Sequence, residues 1–362
     1  MKTPTPLLHD ATPRGFTLVE VMVAMVIGMI GMIIMLQVFS AAEGKRRSTT
    51  GSGDAQSSGA IALYTLQRDI RQAGFGFNAL NVLGCSLALP APASRTLTTV
   101  AAVVINPPPA DVPNGDPNTD RLLVAFGSGS GSPEGEVVTS PPDPQGWIGV
   151  QTPLAFLVND WVIAGPSVPT VGCALTLAQV ADRSPLVLRV PVSGAVDGGT
   201  VFNLGQRPRI LAYAIRGGNL TVCEYLGENP ATGNTTTRDC SQAANYVTIA
   251  NNIVSLRAQY GRPSAPPPSG VDVWNQDTPA LACDPGPHPK LEWATTSAVR
   301  IVVVARNSQV DRDQLTGQAP LWAGSSSGAA INLSARANWQ NYRYRTFETV
   351  IPIRNLPWMA TC

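Results

Sequence analysis

Glu20 is an acidic side chain inside the longest apolar run of the chain, and its charge needs a partner. From Phe16 to Leu36 only Thr17 and Glu20 are polar. An aspartate at the centre of a membrane helix costs about 2.5–3.5 kcal/mol on insertion scales. If the chain were cut after Gly15, the new amine of Phe16 would be a positive charge one helical turn away, in the same subunit or in a neighbour. Pairing in a dry interior favours both charged forms, whereas the simpler alternative is a glutamate that snorkels to the membrane interface.

Histidine is nearly absent from the chain, which limits the catalytic chemistry it can perform. The two histidines are His9 and His288. If the residues before Phe16 are removed, His288 alone remains, so a site of several histidines is excluded and a Ser-His-Asp arrangement would depend on one residue in a Pro-rich loop. The sequence has no G-x-x-x-x-G-K-[ST] loop for nucleotide binding. We therefore predict a protein that is not an enzyme and uses no cofactor.

A loop rich in oxygen ligands is the one candidate for a metal site. Asp116, Asn118 and Asp120 alternate along it, and calcium favours about six to eight oxygen ligands. No glutamate follows at the EF-hand distance. A turn rich in Asp and Asn explains the same residues without a metal, so calcium is the weaker interpretation.

Signals for nucleic-acid binding are weak. Residues 342–345 interleave tyrosine and arginine, a pattern that could stack bases but that is more typical of the two faces of a strand. The formal net charge is +1, so no global electrostatic attraction toward nucleic acid is expected.

The apolar run predicts one membrane-spanning helix near the start of the chain. A helix over residues 16–39 would be about 36 Å long at about 1.5 Å per residue, enough to cross a hydrocarbon core of about 30 Å. The run is too long for a secretory signal peptide, and the polar leader before it, residues 1–15, is predicted to be removable. Lys45, Arg46 and Arg47 follow the run, and the positive-inside bias would place them in the cytoplasm, against the topology predicted below.

An amphipathic helix is predicted to continue over residues 40–75. Gly44, Gly51 and Gly53 weaken helix propensity, so we expect a bend or an interruption there. A helical spacing of apolar residues then resumes, carried by Ile61, Leu63, Leu66, Ile70 and Ala73. Gly74 and Gly76 are expected to end the helix, whose apolar face should pack on a sheet.

From residue 76 onward the sequence favours short strands. Gly (33) and Pro (32) are frequent and charged residues make up only 14%, which is typical of a loop-rich β domain. The predicted strands are Thr99–Ile105, Arg121–Phe126, Leu186–Val190, Arg209–Ile215, Leu220–Tyr225, Ile253–Tyr260, Val299–Ala305 and Thr346–Ile351. Gly217 and Gly218 predict a hairpin turn. The fold class is therefore α+β: a long N-terminal membrane-spanning helix packed on an antiparallel β-sheet domain.

The six cysteines suit an oxidising compartment. They are Cys85, Cys173, Cys223, Cys240, Cys283 and Cys362. An even number without a C-x-x-C pair favours disulfides, of which fifteen pairings are possible. Cys223–Cys240 is the simplest local pair, because it would close a turn-rich segment, and buried free thiols are the alternative for some of the others.

The segment Gly15-Phe16-Thr17-Leu18-Val19-Glu20, followed by about twenty apolar residues, resembles the class III signal of type IV prepilins and of type II secretion pseudopilins. The resemblance implies that a prepilin peptidase cuts between Gly15 and Phe16 on the cytoplasmic side and N-methylates Phe16. It also implies that Glu20 serves methylation and subunit registry during assembly. Gly15 would be accepted before the cut because it has no side chain to clash.

Four later stretches are similar to the PilW family of minor pilins. They are LQRDIRQAGF at residues 66–75, NIVSLRAQYG and VRIVVVAR at residues 252–261 and 299–306, and YRTFETVIPIRN at residues 344–355. Their order and spacing carry the resemblance, which extends over nearly the whole chain. Residues 79–207 resemble no family.

The resemblance implies a minor pilin that helps to initiate type IV pilus assembly, at or near the filament tip. It implies a single-pass inner-membrane protein with a periplasmic domain over residues 76–362, later incorporated into the filament. Its partners would be the prepilin peptidase, other minor pilins, the major pilin, the inner-membrane assembly platform and a tip adhesin. Two alternatives stay open: a J-type minor pseudopilin of type II secretion, and a membrane-anchored module that binds DNA, a surface or a secreted substrate.

Overall fold

The computed structural model describes residues 15–129, 131–132, 134–166, 172–191, 198–229, 232–264, 270–280 and 292–357. By its internal contacts the chain divides into two units, Met1–Gly51 and Ser52–Cys362. A single helix, α1 (Leu18–Gln72), contributes residues to both units. The described strands all belong to the second unit.

In the first unit, α1 is an apolar helix whose side chains face solvent. Its large apolar residues from Leu18 to Phe39 are each at least 42% exposed. The helix is long and apolar enough to cross a membrane, and it is the one such helix among the described residues. A helix so apolar on all sides is typical of a segment whose surroundings are lipid or other apolar helices.

The interruption predicted in the middle of α1 is not present. The helix continues through Gly44, Gly51 and Gly53 to Gln72. Each of these glycines costs about 1 kcal/mol relative to alanine, which a long helix of good helix-forming neighbours can offset. The low helix propensity of the three glycines therefore does not interrupt α1, contrary to the prediction.

The second unit contains three sheets. The nine-stranded sheet has the order β2 (Arg95–Leu97), β1 (Ser86–Leu89), β8 (Ala174–Gln179), β7 (Trp161–Gly165), β11 (Thr200–Gly205), β5 (Glu136–Ser140), β6 (Trp147–Val150), β10 (Val187–Arg189) and β9 (Asp182–Arg183). The six-stranded sheet has the order β14 (Thr235–Thr237), β13 (Asn219–Glu228), β12 (Arg209–Arg216), β4 (Leu122–Phe126) and β3 (Val103–Ile105), with β15 (Val247–Ala250) also paired to β13. The four-stranded sheet has the order β17 (Val273–Asn275), β16 (Ile253–Arg262), β18 (Ala298–Arg306) and β19 (Tyr344–Pro352).

Short helical turns complete the described elements. They are α2 (Glu292–Thr295) and 3-10 turns at Pro153–Ala155, Ala243–Asn245 and Trp339–Asn341. Strand pairing is antiparallel except between β1 and β8. The α+β class with an antiparallel sheet domain is thus confirmed, with one parallel pair that the sequence did not predict.

Each strand predicted from the sequence corresponds to a strand of the structure, with shifts at the ends. The largest shift is in the first, where only Val103–Ile105 of the predicted Thr99–Ile105 is a strand. The predicted hairpin joins β12 to β13, with Arg216 opposite Asn219. Gly217 and Gly218 in its turn have φ of 57° and 74°, a conformation that glycine adopts without strain.

The C-terminal part of α1 packs on the sheets through most of the predicted face, with Leu66, Ile70 and Ala73 buried and Ile61 as the exception. Ala62, Leu66 and Ile70 are fully buried in the largest apolar core, which includes residues of all three sheets. Ile61, which the sequence pattern placed on the packed face, is 52% exposed. The buried positions Ala62, Leu66 and Ile70 follow helical spacing, and Ile61 falls beside them. Strand β19 approaches this part of the helix closely at Gly59.

Gly59 shows how close that approach is. A Cβ atom built on Gly59 would lie 2.1 Å from Cε2 of Phe347 in β19, so any larger side chain must displace the ring. We predict that Gly59→Leu lowers the free energy of unfolding by about 1–3 kcal/mol, the usual cost of overpacking a core. Urea unfolding of the purified full chain, followed by circular dichroism, measures the effect.

Gly53 provides the matched control in the same helix. No atom lies within 4 Å of a Cβ built there, so Gly53→Ala should raise stability by up to about 1 kcal/mol through helix propensity alone. Equal effects of the two substitutions would contradict the packing argument at Gly59.

Candidate functional site

The residues that begin α1 form a helix cap. Thr17 precedes the helix, and its Oγ1 accepts a hydrogen bond of 3.3 Å from the backbone N–H of Glu20. The Thr17 carbonyl accepts the N–H of Val21 at 3.2 Å. A threonine followed three residues later by glutamate is the capping-box sequence, in which the glutamate can return to the threonine N–H. Thr17 and Glu20 thus fix where the helix begins.

Glu20 itself is exposed and lies in the first turn, where a negative charge favours the helix dipole. No described side chain forms an ion pair or hydrogen bond with its carboxylate. Phe16 is 81% exposed, and a Cβ on Gly15 would meet no atom within 4 Å. The segment around the predicted cut is therefore open to an external protein, and the Glu20 carboxylate is open to a partner from another chain.

The C-terminal end of α1 is tied to the sheets by backbone hydrogen bonds. Gly74 adopts a φ of 81° and its N–H donates to Ala125 O at 2.9 Å, while Gly127 N donates to Phe75 O at 2.7 Å. Nδ2 of Asn355 donates to the carbonyls of Gln72 and Ala73, at 3.1 and 3.0 Å. The predicted helix stop is confirmed, and a residue near the other end of the sequence caps it.

A buried carboxylate on α1 anchors the helix to the six-stranded sheet. Asp69 is 2% exposed; Oδ1 accepts from Nε of Arg68 at 2.8 Å, and Oδ2 accepts from the hydroxyl of Tyr213 in β12. Burial raises the pKa of Tyr213 well above its ordinary value, and the Asp69 charge raises it further. The hydrogen bond to Asp69 raises the pKa of Arg68. Sequence analysis missed this cluster, whose one signal was a charged residue on the packed face of an amphipathic helix.

Asp120, a calcium candidate, is instead a link between two sheets. Its Oδ1 accepts from Nη1 of Arg257 at 2.7 Å and from Nδ2 of Asn106 at 3.1 Å. Its Oδ2 accepts from Ala258 N at 2.8 Å and from Nε2 of Gln276 at 2.5 Å. Burial raises the pKa of Asp120, and the Arg257 charge acts in the opposite direction. Both oxygens are occupied by N–H donors.

Asp116 and Asn118 have other surroundings. The Asp116 carboxylate accepts from the N–H groups of Gly217 and Gly218 at 2.8 and 2.7 Å and from Nη2 of Arg336 at 2.9 Å. Asn118 is exposed, with a φ of 59°. The described residues contain no group of three or more His, Cys, Asp or Glu that could hold a metal ion. The two aspartates thus have structural roles in this structure, and calcium binding by Asp116, Asn118 and Asp120 stays the weaker interpretation.

Two disulfides lie among the described residues. Cys223 is paired with Cys240, the local pair expected from the sequence, and Cys85 is paired with Cys173 across 88 residues. The second disulfide joins the segment before β1 to the segment before β8, two parallel neighbours in the nine-stranded sheet. Cys283 and Cys362 lie outside the described residues, as does His288.

The side chains of three of the four residues at 342–345 make packing or hydrogen-bond contacts, and Arg343 is exposed. Tyr342 lies under the guanidinium of Arg306 at 4.3 Å. The Tyr344 hydroxyl donates to Trp339 O at 2.7 Å, and burial raises the pKa of Tyr344 to about 12. The Arg345 side chain donates to Oγ of Ser52 on α1 at 3.3 Å. The alternation of tyrosine and arginine thus covers the start of β19 and the two residues before it.

Two protein-family models match the sequence. The prokaryotic N-terminal methylation motif matches residues 12–36, which include Gly15, Phe16 and Glu20. The type IV pilus-assembly protein W model matches residues 225–355, from β13 to the segment after β19. The two matches cover opposite ends of the chain and leave out the nine-stranded sheet.

No curated protein matches the sequence. Among solved structures, the type IV-like pilin TTHA1219 from Thermus thermophilus is similar over 83% of this chain and 98% of its own, with 11% identity and a TM-score of 0.33. A likeness at that level carries no argument about function.

Proposed function

We propose that this chain, a type IV pilin-like protein with a PilW domain, is a minor pilin that takes part in initiating the assembly of type IV pili. The methylation motif over residues 12–36 carries the proposal, because it lies at the start of an apolar helix whose surface is exposed. A surface of that size requires lipid before assembly and other apolar helices afterwards. A pilin meets both requirements with the same helix, which lies in the membrane before assembly and among the helices of other subunits in the filament.

The proposed sequence of events begins at Gly15. A prepilin peptidase removes residues 1–15 and methylates the new N-terminus at Phe16. Residues 16–39 hold the chain in the inner membrane as a single span, residues 40–75 continue the helix, and residues 76–362 form the periplasmic domain. On extraction from the membrane, the helix joins the bundle of neighbouring helices, with the Glu20 carboxylate against the Phe16 amine of another subunit.

The partners follow from this sequence of events. They are the prepilin peptidase, other minor pilins, the major pilin and the inner-membrane assembly platform, with a position at or near the tip and contact with a tip adhesin there. The exposed surroundings of Gly15 and Phe16 support access by a peptidase. The Glu20 carboxylate, which has no ion-pair partner among the described residues, supports a partner from another chain.

The proposal is tested by the mass of the N-terminal peptide, from cells with and without the prepilin peptidase. We expect a chain that begins at methylated Phe16 only when the peptidase is present. A chain that begins near Met1 in both strains would reject processing. The membrane-anchored binding module would then be the better interpretation.

Replacing Gly15 is expected to block processing. A bulky side chain before the cut would clash in the peptidase, so Gly15→Leu should leave the full-length precursor, visible as a slower band on a gel. Leu18→Val, which keeps an apolar residue after the cut, is the matched control and should be processed normally. A mature-sized band for Gly15→Leu would contradict the role of Gly15.

A further inference from the structure

A cavity of about 580 Å³ lies in the second unit, beside the C-terminal end of α1. Four arginines line it: Arg68 and Arg71 from the helix, and Arg207 and Arg209 from the start of β12 and the loop before it. The family matches assign no role to these residues as a group. Their convergence from two separate parts of the sequence creates a positively charged pocket in a chain whose formal net charge is only +1.

Two of the four arginines already have acidic partners. Nε of Arg68 is 2.8 Å from Oδ1 of Asp69, whose other oxygen is taken by Tyr213. Arg209 forms an ion pair with Glu224. These pairs compensate the charges of Arg68 and Arg209, and Asp69 is the one acidic residue among those that line the cavity.

Arg71 and Arg207 supply the excess charge. Both are exposed, and within the described part of the chain neither side chain has an acidic partner. The backbone N–H of Arg207 donates to Oγ of Ser128 at 2.8 Å, which fixes the base of the side chain without using its guanidinium. Two guanidinium groups on one pocket are therefore free to bind carboxylates, which they can do through paired hydrogen bonds.

The cavity also offers apolar surface. Phe75 lines it and is 41% exposed, and the backbone at Phe75 is fixed by the hydrogen bond from Gly127. Phe126 lies in the same wall. A ligand with both carboxylates and an apolar group would therefore match the pocket better than a simple anion.

We propose that this cavity binds an acidic peptide segment of a neighbouring pilin subunit. The proposal rests on the proposed function, because it takes the neighbour to be another subunit of the same filament. Exposed ion pairs contribute only about 0–1 kcal/mol each, so a small free anion gains little here. A peptide combines several such contacts with burial of Phe75, and an aromatic residue with arginines around it is the composition typical of binding hot spots.

Nucleic acid is a poorer fit to the same charges. Binding to a phosphate backbone depends on many cationic contacts along an extended surface. Here Arg71 and Arg207 are the two arginines of the cavity without an acidic partner among the described residues, and both line one pocket. The chemistry favours a short acidic segment over a long polyanion.

The test measures binding of a labelled oligoglutamate peptide to the full chain in detergent, with an oligoglutamine peptide as the neutral control. We expect the wild type to prefer oligoglutamate, with an affinity that falls as salt is raised. The double variant Arg71→Glu, Arg207→Glu should weaken binding at least about tenfold, since repulsion replaces two charge-assisted contacts. Phe75→Ser should weaken it with the charges unchanged.

The matched control reverses the same number of charges elsewhere. Arg312 and Arg343 are exposed and do not line the cavity, so Arg312→Glu, Arg343→Glu should bind oligoglutamate like the wild type. Equal loss in both double variants would show a general charge effect and overturn the assignment to the cavity. Equal binding of oligoglutamate and oligoglutamine would overturn it as well.

Competition of the labelled peptide with inorganic phosphate or with a DNA oligomer tests two other kinds of ligand. Inorganic phosphate that displaces the peptide at the peptide's own concentration would make this a free-anion site. A DNA oligomer that binds more tightly than oligoglutamate, and is lost in the Arg71→Glu, Arg207→Glu variant, would make it a nucleic-acid site. Either result rejects the acidic peptide.

A measurement in cells separates this proposal from the proposed function. The Arg71→Glu, Arg207→Glu variant should be processed at Phe16 like the wild type but be at least about threefold depleted in sheared filaments, the scale of a surface contact. Normal incorporation would reject the neighbouring subunit as the source of the peptide. Absence of the wild type from filaments would reject the proposed function, while the peptide-binding result would stand.

Discussion

Glu20→Val is expected to leave the chain processed and membrane-bound but to reduce its amount in sheared filaments at least about tenfold. Valine is apolar, so it favours insertion of residues 16–39. In the proposed bundle, however, loss of the Glu20 carboxylate leaves the Phe16 amine of a neighbouring subunit without a counter-charge. Breaking a buried ion pair by removing one partner costs about 3–5 kcal/mol, and about 1.4 kcal/mol already corresponds to a tenfold change in an equilibrium. Quantitative immunoblots of filament and membrane fractions provide the measurement.

Glu20→Gln distinguishes the charge of this residue from its part in the helix cap. The structure shows one of the two hydrogen bonds of a capping box, from the N–H of Glu20 to Oγ1 of Thr17, and glutamine can serve at that position as well as glutamate. If Glu20 matters only for the start of the helix, Glu20→Gln should enter filaments normally. We expect it to be depleted like Glu20→Val, because both lack the charge.

Gln37→Val is the matched control for the loss of a polar side chain in the same helix. Gln37 is the next polar residue after Glu20, and its replacement should leave incorporation unchanged. Filament amounts of Glu20→Val equal to those of Gln37→Val would contradict the proposed pairing of Glu20 with the Phe16 amine.

The N-terminal site was predictable from sequence because its information is local. Gly15, Phe16 and Glu20 lie within six residues. Because burying a charge is costly, a carboxylate in an apolar run is rare and stands out in the sequence. The hairpin at Gly217 and Gly218 was predictable for the same reason, since the turn depends on the residues within it.

Features that depend on distant parts of the chain were not predictable. Phe347 of β19 closely approaches Gly59, although the two residues are separated by nearly the whole second unit. Likewise Asp69 meets Tyr213 only after β12 has joined the six-stranded sheet. Periodicity shows that a helix has a packed face, but the contacting strand decides which residues of that face must be small.

The nine-stranded sheet was the least predictable part of the fold. Several of its strands have only two to four residues, which is too short for a periodic pattern to stand out. Its parallel pair, β1 and β8, is held by Cys85–Cys173, and a pairing across 88 residues cannot be chosen from fifteen possibilities by spacing. In this region the order of strands is set by tertiary contacts.

Asp120→Ala is expected to lower the free energy of unfolding by about 3–5 kcal/mol, the usual cost of removing one partner of a buried ion pair. The Arg257 side chain is 13% exposed and the Asp120 side chain 2%, so the guanidinium would lose its counter-charge in a place that water hardly reaches. Asn106 and Gln276 would lose an acceptor at the same time. Urea unfolding of the full chain measures the change, and Asp182→Ala, at an exposed aspartate in β9, is the control.

Removing both charges tests the cause of the destabilisation. In Asp120→Leu, Arg257→Met no buried charge remains unpaired, and replacing a buried pair by apolar residues of similar size is often neutral. We therefore expect the double variant to be more stable than Asp120→Ala, although it lacks more hydrogen bonds. The backbone bond from Asp120 N to Leu256 O, at 2.8 Å, remains in both variants and keeps the segment just before β4 beside β16. A double variant as unstable as the single one would show that Asp120 acts through its hydrogen bonds to the backbone and amides, and that its charge contributes little to joining the two sheets.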